Sequence, residues 1–236
     1  MPSLRRIKDP RWWLWILPAG GFMAILIVFY ASLAPLKVEQ PFHNQPAGEI
    51  RGPFSAGQTF YSPYAGLYRI DLLLATYTHS VSGQVNFNLT PGPKDSRKLA
   101  SVTFDASTIE DNQFRAFEFT APEDSAGRTY FFYLEAPSAQ PDHAITVWTD
   151  SNNPYSDGAA YLGGQPVEND LTFIAYFRPS PWQLADMYLG RMAKGKPGLW
   201  GSESFYAFLF TAYLAVVAAF LFYIFRWVVS SDKDGP

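Results

Sequence analysis

Cysteine is absent from the 236 residues, and histidine occurs only three times, as His43, His79 and His143. The first absence excludes disulfides, thiolate metal sites, haem attachment and a cysteine nucleophile. The second leaves scattered imidazoles without metal-ligand spacing, and HExxH, GxSxG and GxGxxG are all missing. Charge is lacking in a more informative way. No charged residue occurs from Trp12 to Leu36 or from Ser204 to Phe225. At about 1.5 Å per residue, each run is long enough as a helix to cross roughly 30 Å of hydrocarbon. Between them, from Lys37 to Glu203, acidic residues outnumber basic ones, which opposes nucleic-acid binding.

The first run is longer than the core of a cleavable signal, and Pro35 directly follows the small-residue stretch Ser32-Leu33-Ala34. It therefore reads as a retained signal anchor. Arg5, Arg6, Lys8 and Arg11 precede it, and Arg226 and Lys233 close the second run, so both termini are expected to be cytoplasmic and the middle outside. The expected organisation is a cytoplasmic N-terminus over 1–11, a transmembrane helix over 12–36 and an extracytoplasmic domain over 37–180. An interfacial segment over 181–203, a second transmembrane helix over 204–229 and a cytoplasmic tail over 230–236 complete it.

The middle holds no lasting helical period. Gln84 to Thr90, QVNFNLT, alternates Val85, Phe87 and Leu89 with polar residues, the signature of a half-buried antiparallel strand. Similar runs at Gln58 to Tyr61, Tyr68 to Thr76, Ser101 to Phe104, Phe114 to Phe119, Tyr130 to Glu135, Ala144 to Trp148 and Leu171 to Phe177 bring the total to about eight. Turn formers separate them. The spacing predicts an all-β fold, a jelly-roll β-sandwich flanked by two transmembrane α-helices.

Three segments carry a family resemblance: GQTFYSPYAGLYRIDLLLATY (Gly57 to Tyr77), DSAGRTYFFYLE (Asp124 to Glu135) and NPYSDGAAYLGGQPVENDLTFIAYF (Asn153 to Phe177). Together they resemble the jelly-roll domains of bacterial surface proteins called choice-of-anchor R, and of two-span bacterial membrane proteins with the same order of motifs. The resemblance covers most of Gly48 to Arg178. It implies a non-catalytic envelope domain at the bacterial plasma membrane, similar in shape to carbohydrate-binding modules, and brings no ligand residue with it.

The stretch from Ser151 to Phe173 contains Asn153-Pro154, Asp157-Gly158 and Gly163-Gly164, all turn formers. Asp150, Asn152, Asn153 and Asp157 offer enough oxygen to suggest structural calcium as an alternative role, although the spacing is not that of an EF-hand. No other cofactor is expected. For a glycan, the candidate contacts are Trp148, Tyr155, Tyr161 and Tyr176, whose flat faces suit sugar rings; the competing reading makes them core aromatics with a bonded polar tip.

PWQLADMYLGRM places Trp182, Ala185, Tyr188, Leu189 and Met192 on one broad helical face and reads as an interfacial helix. In the second apolar run, Ala207, Thr211, Ala215 and Ala219 recur every four residues, with Gly20 and Ala24 as a matching pair in the first. Such small residues let helices approach closely, either the two spans or a membrane-protein partner or second copy. The expected function is a non-catalytic accessory or scaffold protein whose sandwich binds a protein or glycan beside the membrane. A carbohydrate-binding module tied to envelope polysaccharide synthesis or export is the alternative, and an envelope glycoside hydrolase, which needs two carboxyls about 5 to 9.5 Å apart, is the minor one.

Overall fold

A computed structural model of the chain describes Gly20, Gly21, Met23, residues 36–122 and residues 124–231, the last seven by backbone alone. The chain divides into two compact units, Pro35–Ser180 and the combination of Met1–Ala34 with Pro181–Pro236. Most of the run read as the first span lies outside the described residues. Leu36, its last residue, instead begins a strand.

The first unit is mostly β. Its strands are β1 (Leu36–Gln40), β2 (Gln45–Pro46), β3 (Ala56–Ser62), β4 (Leu67–Ala75), β5 (Gln84–Thr90), β6 (Ala100–Asp105) and β7 (Gln113–Glu118). They continue with β8 (Arg128–Glu135), β9 (Thr146–Asp150), β10 (Ala160–Leu162), β11 (Gln165–Val167), β12 (Asp170–Leu171) and β13 (Phe173–Phe177). One sheet runs β1-β13-β4-β9-β12, with β2 also on β9 and β7 also on β4; the other runs β11-β10-β3-β8-β5-β6. All pairings are antiparallel, and the first and last strands lie side by side, with Leu36 opposite Phe177 and Gln40 opposite Phe173.

The inner faces follow the period-two alternation of the sequence. Ile70, Leu72 and Leu74 of β4 face Val85, Phe87 and Leu89 of β5 and Phe132 and Leu134 of β8 in one core. Aromatic rings form its centre. Phe87 stacks on Phe117 at 4.6 Å, and Phe132 meets Phe60 at 5.9 Å and Phe173 at 5.4 Å. Burying rings of this size supplies the apolar area that a domain without disulfides needs. One expectation is exceeded: Asn88, on the outer face of β5, is fully buried. Its amide donates to Glu135 (3.1 Å) and its carbonyl accepts from Ser101 (2.9 Å), so the neighbours on β8 and β6 satisfy it.

The helical unit contains α1 (Pro181–Ala193), a 3-10 turn at Gly198–Gly201 and α2 (Glu203–Ser231). Within α2, Glu203–Ile224 is long and apolar enough to cross a membrane, and it is the one such stretch among the described residues.

Candidate functional site

The second sheet carries its outward side chains in register. Pro166, Tyr161, Gly57, Tyr133, Asn88 and Ser101 form one row across its six strands. Gly57 is the low point of that row. A Cβ there would lie 2.6 Å from the Phe131 ring and 2.6 Å from the Phe132 carbonyl, so only glycine lets Phe131 lie flat over β3. Tyr161 then meets Phe131 edge-on at 5.2 Å and Tyr133 stacks beside it at 5.6 Å, a patch of three rings on a face that also carries hydroxyls, amides and the Glu135 carboxylate.

Beside the patch lies an open groove of about 970 Å³. One wall is the loop after β5, with Pro91, Pro93, Lys94 and Ser96; the other is the β10–β11 hairpin, with Tyr161, Gln165 and Pro166. Both walls are fixed by their backbone. In the loop, the Thr90 hydroxyl (2.9 Å) and the Asp95 N–H (3.1 Å) donate to the Gly92 carbonyl, and the Arg97 N–H donates to the Asp95 carboxylate (2.8 Å). In the hairpin, Gly163 (φ 58) and Gly164 (φ 78) both adopt the left-handed conformation that a two-residue turn requires. The groove thus joins apolar proline and tyrosine surfaces to a cation, the Asp95 carboxylate, a hydroxyl and an amide.

The residues singled out from sequence do not converge here. Tyr161 lines the groove. Tyr155 turns inward instead: its ring meets Phe173 edge-on at 5.4 Å, its oxygen accepts from the Tyr61 N–H at 3.2 Å, and burial pushes its phenol up to about 12. Trp148 is on the outer face of the first sheet, its indole N–H donating to Asn112 at 2.8 Å and its ring 5.2 Å from His43. Tyr176 lies on that same face beneath the Arg69 guanidinium, 4.9 Å from the ring centre. Asp71 binds Arg69 through two hydrogen bonds of 2.6 and 2.7 Å and raises the guanidinium pKa, so this ion pair screens the ring.

The oxygen-rich stretch is held by its own hydrogen bonds. Asp150 accepts from Asn44 (3.0 Å) and from the Asn152 N–H (2.8 Å); Asn153 takes the left-handed turn conformation (φ 50), and Asp157 is exposed. Among the described residues, no group of three or more Asp, Glu, His or Cys is placed to hold a metal.

Asp170, which sequence reasoning passed over, fastens this stretch. Fully buried, it accepts from Gln58 at 2.9 Å and from the Tyr155 N–H at 2.6 Å, while the Leu171 N–H donates back to Gln58 at 2.9 Å. Burial raises its carboxyl pKa against the lowering effect of those two bonds, and nearby Asp150 adds to the rise. A carboxylate immediately before the apolar strand Leu171 to Phe177 was the available signal. The loop wall at Pro91 to Ser96 was likewise legible as PGPKDS, but only as a strand separator.

In the helical unit, Ala207 is half-buried, Thr211, Ala215 and Ala219 are exposed, and the Thr211 hydroxyl donates to the Ala207 carbonyl at 2.9 Å. Ala24 lies outside the described residues, and no described atom is within 4 Å of a Cβ built on Gly20. Gly21 is the glycine that meets α2, against the Tyr213 phenol. Tyr213 projects about 200° around the helix from Thr211, so this contact, among the described residues, does not use the small-residue stripe.

Comparison with family models and with curated proteins returns no match for this chain.

Proposed function

We propose that the chain is a membrane-tethered, non-catalytic binding protein of the bacterial envelope, whose sandwich holds a glycan chain in the groove between the β5–β6 loop and the β10–β11 hairpin. The groove carries this reading. Sugar rings present flat apolar faces and polar edges, and the groove offers Tyr161, Pro93 and Pro166 for the faces and Lys94, Ser96 and Gln165 for the hydroxyls. The strand orders β1-β13-β4-β7 and β3-β8-β5-β6 support the jelly-roll topology that the resemblance to choice-of-anchor R domains implies. In this reading α2 is one span and the apolar run before Leu36 the other. Both termini are cytoplasmic and the sandwich is outside. Only residues 178–180 separate β13 from α1, a tether that suits an accessory or scaffold role beside membrane-bound machinery.

Retention of the full-length protein on immobilised envelope polysaccharide tests the proposal. Tyr161→Ala is expected to weaken it roughly tenfold, equivalent to about 1.4 kcal/mol. Equal retention of the variant removes the groove as the site, and a wild-type protein that is not retained removes the glycan. A stoichiometric protein that then co-purifies instead makes the sandwich a scaffold.

A further inference from the structure

The α1 helix, the Gly198–Gly201 turn and the start of α2 form a corner with an unusual surface. Trp182 is 81% exposed, Leu199 72%, Trp200 57% and Met192 48%. At 100° per residue, Trp182, Ala185, Leu189 and Met192 fall within roughly 80° of arc on α1. This is a concentration of large apolar side chains that a surface facing only water seldom keeps.

The corner is held in shape. The Lys196 ammonium donates to the Tyr206 hydroxyl at 2.9 Å and stands 5.1 Å from that ring, joining the end of the connection to the first turn of α2. Ala193 and Tyr206 are buried. Trp200 meets Phe205 edge-on at 5.1 Å, and a Cβ on Gly201 would collide with the Lys196 carbonyl, so glycine allows the chain to turn this closely. The result is a fixed turn that presents Leu199 outward rather than folding it away.

We propose that this corner is a lipid-docking surface, and that its occupant is the boundary between headgroups and acyl chains of a phospholipid bilayer. The inference rests on the reading of α2 as a membrane span. Continuity then identifies the occupant: the apolar stretch begins at Glu203, two residues after the 3-10 turn, so the turn lies where a bilayer changes from polar to apolar. Tryptophan is enriched at that depth because its ring is apolar and its N–H seeks a partner. Arg191, Lys194 and Lys196 lie within six residues of one another and match the phosphate layer in charge, their stems following the apolar surface. The Lys196–Tyr206 bond sets the depth: the ammonium stays at the phosphates while Phe205 and Trp200 enter below.

The absence of cysteine makes the test direct. Met192→Cys, Leu199→Cys, Val216→Cys and Ser96→Cys, each carrying one nitroxide in the full-length chain, are reconstituted in nanodiscs of phosphatidylcholine and phosphatidylglycerol. Collision with oxygen is compared with collision with a water-soluble nickel complex. Positions 192 and 199 are expected to show an oxygen-to-nickel ratio above that of Ser96→Cys and below that of Val216→Cys. If they match Ser96→Cys while Val216→Cys is lipid-exposed, the docking surface is overturned and the span stands. If Val216→Cys is also water-exposed, the span reading falls and the docking surface with it. Shelter of 192 and 199 from both reagents means that protein covers the corner, which overturns a lipid occupant.

Discussion

Phenylalanine is placed in opposite ways in the two units. In the sandwich, Phe60, Phe87, Phe117, Phe132, Phe173 and Phe177 are the largest fully buried side chains, whereas on α2 Phe208 is 69% exposed, Phe210 56% and Phe222 65%. The same residue type thus builds a core in one unit and an outward face in the other. Within the sandwich a ring leaves water by packing against other rings; along α2 the rings project outward from a helix long and apolar enough to cross a membrane. The difference teaches that hydrophobicity alone does not identify a core. The period of the pattern and the polar residues between the apolar ones do.

The contrast is broken most severely by Phe132→Ala, which is expected to destabilise the sandwich by about 3–5 kcal/mol in urea titration of the detergent-solubilised chain. Phe222→Ala is expected to leave that same transition where it is. A midpoint shift of equal size in both variants would mean that the units are not separately stabilised.

A smaller effect comes from the glycines. Gly66 has φ 74, and a Cβ there would collide with the Arg178 carbonyl, at the point where Arg178 donates its N–H to the Gly66 carbonyl at 2.8 Å. Gly66→Ala is expected to cost roughly 1–3 kcal/mol through backbone strain alone, before that contact is displaced. Thermal melting of both variants reads this out: Gly66→Ala should lower the midpoint of the sandwich, and Gly20→Ala in the helical unit should leave it unmoved.

The smallest effect is a dependence on pH. Burial raises the carboxyl pKa of Asp170, so the folded chain holds this proton more tightly than the unfolded one. Asp170 therefore subtracts from stability as pH rises from the ordinary carboxylate range through its raised value, and the loss then stays constant. Asp170→Asn removes that slope, and denaturation curves from pH 4 upward should show a flatter profile for the variant even though it gives up one hydrogen bond. An unchanged profile would mean that Asp170 ionises as freely in the folded chain as in the unfolded one.

All eight strands read from the sequence are present, because each is long enough for alternation to repeat. The strand expected over Leu171 to Phe177 is two, β12 on β9 and β13 between β1 and β4. The strands that were not anticipated, β1, β2, β10, β11 and β12, have two to five residues and are formed by pairing with a neighbour rather than by a pattern of their own. The same limit governs the site. Tyr161 and Tyr155 are alike in type and lie six residues apart, yet one lines a groove and the other turns inward. The choice is made by two distant partners: Phe131, which leans over Gly57 to meet Tyr161, and Asp170, which binds the Tyr155 backbone. A groove between two loops far apart in sequence has no local signature, whereas each of its turns does.

The pairing of Leu36 with Phe177 has a mechanical consequence. The sandwich begins and ends on adjacent antiparallel strands, so its two connections to the rest of the chain leave from one point. A pull that drags the sandwich away from both connections together loads β1 and β13 in the same direction, and the bonds between them, which run across that direction, bear little of it. A force that spreads the connections apart opens the pair one bond at a time from Leu36 and Phe177 inward. The sandwich hangs from a zipper that resists drag as a unit and yields only when its two leads are separated.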